Sequence, residues 1–287
     1  MAVDHTRGPV NPARLIVWIL LLVSLSACAS GPRRPPVGTL EPDKFLFERG
    51  TEELNKRRWL TAREYFRQLM DSYPQSIYRA DAKLGLADTY LGENTAESTV
   101  LAINEYREFL SFYPTHKRAY YAQFKLGMSH FYQMHGPDRD QTETQDAIAE
   151  LSTFVERYGA TDGGDPDRAK LIEEGRARLR EARDRLSDAN YRVAYFYLKT
   201  QKFPPAAVDR FQAILKNDPE YSRRDAVYFY LAEALLAMKR PAAALPYLDR
   251  LIVEFESSEY LEEARKLVET LKADVKKAGT GSVSHEG

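Results

Sequence analysis

The chain has 287 residues, 44 % of them apolar and 29 % charged, with a formal net charge of −1. That composition excludes an intrinsically disordered chain, and the balanced charge speaks against a nucleic-acid binder, which carries a basic excess. The single cysteine, Cys28, excludes an intrachain disulfide and a cysteine-based metal site.

The N-terminus reads as an address. Arg7 and Arg14 precede Leu15 to Leu25, an apolar run broken only by Ser24. The run is shorter than the roughly 20 residues a spanning helix needs and has the length of a signal-peptide core. Leu25-Ser26-Ala27-Cys28 follows, and a large aliphatic, two small residues and a cysteine resemble the lipobox of bacterial lipoproteins. Residues 1–27 are therefore expected to be a lipoprotein signal peptide, and Cys28 the lipidated residue; the plainer alternative is a signal peptide with an incidental cysteine. Ala29, where an aspartate would favour the inner membrane, points to the outer membrane. The expected location is the outer membrane, lipid-anchored and facing the periplasm. Residues 28–42 contain Gly31, Pro32, Pro35, Pro36, Gly38 and Pro42, and this stretch predicts a tether.

From Asp43 onward apolar residues recur at helical spacings, with no sustained alternation. The tetratricopeptide (TPR) repeat is a helix–turn–helix unit of about 34 residues. It places small residues on both helices, an aromatic four after the second small residue, and a closing proline. The first unit has Gly50, then Trp59, Ala62, Phe66 and Pro74; the fourth repeats these offsets with Ala207, Phe211 and Pro219. The second has Ala87, Tyr90, Ala102, Tyr106, Phe109 and Pro114, with a small insertion around Gly92 to Thr99. The third has Gly127, Ala147, Leu151 and Phe154, with a longer loop from Gly136 to Thr144. The fifth has Ala232, Ala244, Leu248 and Leu251, and a last helix from about Ser258 to Lys276 covers the open end. The predicted fold is all-α, a TPR-like solenoid of five helix pairs plus a C-terminal capping helix. Residues 43–160 hold repeats 1–3; residues 161–277 hold a joining helix, repeats 4–5 and the cap; residues 278–287 are expected to be a disordered tail.

Between the third and fourth units, Asp165 to Ser187 breaks the period. Leu171, Gly175, Leu179, Ala182 and Leu186 form one apolar stripe, which predicts a helix running on to about Thr200. Arg176, Arg180 and Arg183 share another face, readable as a partner-docking surface or as a solvated face paired with Glu173, Glu174 and Glu181.

Chemistry is hard to find. His130 and His135 are five positions apart and share no helix face, so neither is expected to be a metal ligand. Gly163-Gly164 stands beside acidic residues that would repel phosphate, and no nucleophile motif occurs. No catalytic residue, cofactor or metal is expected. The groove-facing offsets of helix A are Phe47, Thr51 and Asn55 in the first unit, and Tyr121, Phe124, Met128, Phe131 and Tyr132 in the third. The five residues of the third unit exceed what one helix seam needs; they predict a peptide-binding groove or, equally, packing against the joining helix.

With these features in place, the chain resembles the BamD family (older name ComL), lipoprotein subunits of the outer-membrane β-barrel assembly machine. Tyr73-Pro74 with Tyr78, Tyr113-Pro114-Thr115-His116, Asp138-Arg139-Asp140-Gln141, and Asp184-Arg185-Leu186 leading to Tyr191, Val193-Ala194 and Tyr197 carry the resemblance over residues 28–275. It implies a non-enzymatic scaffold whose N-terminal repeats bind the targeting sequence of unfolded β-barrel proteins, and it adds Tyr73 and Tyr78 to the candidate peptide site. The implied partners of the C-terminal repeats are the barrel-forming subunit and accessory lipoproteins. The membrane is reached through the N-terminal lipid, and no nucleic acid is expected. The alternative is another periplasmic TPR lipoprotein serving envelope or cell-wall complexes.

Overall fold

A computed structural model of the chain describes residues 34–160 and 163–281. The expected signal peptide at 1–27, Cys28 and the start of the expected tether lie outside the described residues. Among those described there are eleven helices and no strand. No helix of the described residues is long and apolar enough to cross a membrane.

The division into compact units falls between Ser98 and Thr99, in the first turn of the fourth helix. The division read from sequence, between 160 and 161, lies inside the second unit. The first unit holds α1 (Pro42–Asn55), α2 (Trp59–Ser72) and α3 (Arg79–Glu93). Its centre is Phe66 of α2, clamped between two glycines. A Cβ on Gly50 of α1 would come within 2.6 Å of its ring, and one on Gly85 of α3 within 2.5 Å. Small residues let three helices close on one aromatic, and Leu46, Ala62, Leu69 and Leu84 complete the core around it, each 0 % exposed.

The second unit runs from α4 (Ala96–Phe112) through α5 (Ala119–Tyr132), α6 (Thr142–Tyr158), α7 (Pro166–Lys199), α8 (Pro204–Asn217), α9 (Arg224–Ala237) and α10 (Pro241–Glu254) to α11 (Leu261–Gly281). Each helix from α5 to α11 packs on its chain neighbour, and α7 also touches α5 and α9. The long joining helix is as expected. Pro166 opens it with a preset φ, and the Asp165 carboxylate accepts hydrogen bonds from the backbone N–H of Asp167 and of Arg168. Its first half closes a core of Phe124, Met128, Leu151, Phe154, Ile172 and Leu179. Its second half supplies Tyr191, Ala194 and Leu198 to the larger core around Phe211, Leu231 and Leu248.

The repeat shows in its turns. Arg57, Lys202 and Lys239 all take positive φ, at 57°, 53° and 58°. Each stands five residues ahead of the small residue of the following helix, Ala62, Ala207 or Ala244. It also shows in three long-range ties of equal span. Ser76 donates to Asp43 at 2.6 Å, Ser258 donates to Asp225 at 2.7 Å, and the Tyr221 hydroxyl donates to Asp188, each pair 33 positions apart. In each case an aspartate on one helix holds the turn that starts the next repeat.

The last helix begins at Leu261 rather than Ser258, because the Ser258 hydroxyl is engaged by Asp225 and accepts from the N–H of Tyr260. The helix continues to Gly281, so the expected tail from 278 starts inside it; residues 282–287 lie outside the described residues.

Candidate functional site

In the first unit, the Phe47 ring stacks on Tyr78 with centroids 5.2 Å apart and planes 18° apart, and leans on the buried Phe66 at 6.3 Å. Both Phe47 and Tyr78 are half-buried, and the neighbouring Ile77 is fully open at 82 %. The result is a shallow aromatic shelf backed by the core. Thr51 spends its hydroxyl on the Phe47 carbonyl at 2.9 Å, and Asn55 is exposed at the helix end. Tyr73 caps α2 and is half-buried.

The third repeat is a different case. Phe124 and Met128 are 3 % and 2 % exposed, and Phe124 meets Phe154 at 5.4 Å. They do not line a groove. The expectation of a five-residue surface is corrected for these two, because α7 lies along both α5 and α6 and consumes that face. Phe131 is half-buried with the Arg178 guanidinium 5.4 Å from its ring centre, and Tyr121 carries Arg118 at 4.6 Å and Lys125 at 5.5 Å. Only Tyr132, at 60 %, is open.

The three candidate docking arginines of α7, Arg176, Arg180 and Arg183, are largely used within the fold. Arg180 donates to Asp218 at 2.6 Å and to Asp184 at 3.1 Å. Ser187 donates to the same Asp218 oxygen at 2.7 Å. Burial pushes the Asp218 carboxyl up, but the two donors and the Arg180 charge hold it below the usual carboxylate range. Burial lowers Arg180, and Asp218 and Asp184 more than reverse that. Arg180 is thus a structural clamp, not a free docking charge. Arg183 reaches Ser152 at 3.4 Å, and Arg176 donates to the Gly159 carbonyl at 2.7 Å while remaining exposed.

What sequence reasoning missed is an open apolar stretch further along α7. Val193 and Phe196 are 37 % and 46 % exposed, and Phe203 just beyond is 55 %. Val193 and Phe196 line a cleft of about 450 Å³ whose other wall is the loop carrying Asp138 and Arg139. A second cleft, about 340 Å³, lies against Tyr197 and Arg210 and shares Asn190 with the first. The signal in the sequence was three adjacent aromatics, Tyr195-Phe196-Tyr197, which a helix cannot turn to one face; only Tyr197 is half-buried. Most other tyrosines fill seams: burial raises the hydroxyl pKa of Tyr191 and of Tyr221 above the ordinary value.

His130 is buried and His135 is exposed, its carbonyl accepting from Arg185 at 3.3 Å. The neighbours of His130 come from other helices. Nδ1 is 2.7 Å from Glu143, and Nε2 is 3.2 Å from Arg107.

The sequence pattern of the YfiO family, described as outer membrane lipoprotein, matches residues 40–245. The outer membrane protein assembly factor BamD of Caulobacter vibrioides is 29 % identical over 279 residues, covering 93 % of this chain and 87 % of that protein. Among solved structures, the TPR2AB-domain–pHSP90 complex of yeast Sti1 is 12 % identical, covers 83 % of this chain and 86 % of its own, and has a TM-score of 0.41. A tetratricopeptide repeat protein from Parabacteroides merdae is 15 % identical, with coverage of 83 % and 92 % and a TM-score of 0.34.

Proposed function

Because the chain belongs to the YfiO family of outer membrane lipoproteins, we propose that it is a non-catalytic scaffold of outer membrane protein assembly, helping β-barrel proteins to be recognised, folded and inserted. Similarity to an assembly factor along 93 % of the chain carries this reading. The reading places the protein on the periplasmic side of the outer membrane, held by lipid on Cys28.

Two surfaces serve two kinds of partner in this reading. The Phe47–Tyr78 shelf takes the C-terminal targeting segment of an unfolded barrel protein, which ends in an aromatic and alternates apolar residues. A stacked ring pair with one face open offers large apolar area at low entropic cost. The open cleft at Val193 and Phe196 takes the barrel-forming subunit or an accessory lipoprotein, since exposed aromatics rimmed by charge mark protein contacts. The arginines of α7, which the sequence suggested for that role, support it less well, since Arg180 is committed within the fold.

Co-purification from detergent-solubilised outer membranes tests the function. The expected companion is a β-barrel subunit with periplasmic domains; recovery with a cell-wall machine instead would overturn the assembly role. The anchor is tested separately with Cys28→Ser in cells lacking the partner complex. The variant, exported behind a cleavable signal peptide that lacks a lipobox, is expected in the soluble fraction, and sedimentation with membranes in high salt would overturn the lipid assignment.

A further inference from the structure

The start of α6 brings two carboxylates, Glu143 and Asp146, against a histidine of α5. His130 is 3 % exposed, with Nδ1 2.7 Å from Glu143 Oε2 and 3.9 Å from Asp146 Oδ2. The three donor atoms all lie within 4.8 Å of one another. Arg107 of α4 reaches Nε2 at 3.2 Å. A guanidinium cannot accept a hydrogen bond, so Nε2 is the acceptor, and the imidazole is neutral with its proton on Nδ1, donated to Glu143. Among the described residues no hydrogen bond reaches the Asp146 carboxylate. The pocket thus holds two negative charges on one side of a neutral ring, and the Glu143 and Asp146 side chains are 32 % and 46 % exposed, leaving that side open to solvent.

We propose that His130 Nδ1, Glu143 and Asp146 form a site for a divalent transition-metal ion, and that Arg107 competes with the metal through the far side of the ring. One imidazole nitrogen and two carboxylates make a donor set suited to Zn²⁺, with solvent completing the coordination. The two carboxylates balance the charge of the ion. Binding leaves the imidazole neutral: the proton on Nδ1 moves by way of solvent to Nε2, and Nδ1 becomes the ligand. Nε2–H then faces the Arg107 donor, and the two repel. Arg107, whose side chain is 51 % exposed, has an alternative in Glu150, whose Oε1 is already 3.8 Å away. The metal would pin α5 to α6 across their connecting loop, which is otherwise held by Gln141 donating to the carbonyls of Gly136 and Arg139 at 2.8 and 2.9 Å. Sequence reasoning looked for paired ligands on one helix, and this set is spread over two.

The test is a Zn²⁺ titration of the full chain after chelator treatment, read by calorimetry and by Tm, with Co²⁺ absorption as a second readout. Wild type is expected to bind one ion that Asp146→Asn binds at least tenfold more weakly. That substitution sits on a half-exposed side chain and leaves the fold intact, whereas His130→Ala would open the core. Arg107→Gln, whose amide oxygen can accept from Nε2–H, is expected to tighten binding several-fold. Equal Zn²⁺ affinity in wild type and Asp146→Asn, or no rise in Tm with Zn²⁺, overturns the site. Equal affinity in wild type and Arg107→Gln overturns the competition.

Discussion

The first and third repeats carry aromatics at matching places on their first helices, and the two fates differ. Phe47 stays half-exposed on a shelf with Tyr78, while Phe124 is buried. The repeat pattern is the same in both. A third helix covers each pair, α3 over α1 and α2 and α7 over α5 and α6; what differs is what it brings, since α7 supplies Ile172 and Leu179 to the core that holds Phe124. In a repeat protein, a helix face is a binding surface or a core by virtue of what stacks next, not by its own composition.

The sharpest way to break this comparison is truncation in both places. Phe124→Ala should cost about 3–5 kcal/mol in urea unfolding, as for a fully buried aromatic. Phe66→Ala should fall in the same range, since Phe66 fills the gap between Gly50 and Gly85. Phe47→Ala should cost only about 1 kcal/mol, the scale of one aromatic pair. Similar losses for Phe124→Ala and Phe47→Ala would erase the distinction.

Next in size is the Arg180 clamp. Arg180→Ala should cost about 1.5–3 kcal/mol, because Asp218 keeps only the Ser187 donor. The pH dependence has a definite sign. Asp218 is held below its ordinary value near 3.8, so the stability it contributes is present above that pH and is lost as pH falls through the lowered value. Acid unfolding followed by circular dichroism should show this loss in wild type and a smaller one in Arg180→Ala.

A function readout sharpens the comparison further. A synthetic peptide with the C-terminal sequence of a barrel protein should bind the wild-type chain. It should bind Phe47→Ala/Tyr78→Ala at least tenfold more weakly, with the melt barely changed. Undiminished binding moves the site away from the shelf. The smallest effect is local. Lys202 holds φ at 53°, so Lys202→Gly should stabilise by about 0.5–1 kcal/mol, measured as a rise in urea midpoint.

The register of the repeats was legible because it is local. The pairing of Gly50 with Phe66 follows from a small residue and an aromatic at repeat-specific spacing, and the extent of α7 follows from Pro166, its Asp165 cap and one apolar stripe. What was hidden depends on distant residues. The partner of Arg180 is Asp218, 38 positions away, and no spacing rule links them. The burial of Phe124 and Met128 required knowing how α7 lies on α5 and α6. The open aromatic at Phe196 was passed over because nothing in its neighbourhood says which of three adjacent rings a helix will leave open.

The length of α7 also has a consequence in time. The chain is made from its N-terminus, so Phe124, Met128 and Phe154 emerge well before Ile172 and Leu179, the residues that close their core. Until α7 has followed, the third repeat is a half-built hairpin with bare aromatics, the kind of species that sticks to other chains. The first unit waits in the same way, since Phe66 is closed only when Gly85 of α3 has followed, but that helix is complete long before Tyr158 is made. A stalled chain ending near Tyr158 should therefore resist protease in its first three helices and be cut freely in α5 and α6, and adding residues through Lys199 should protect both.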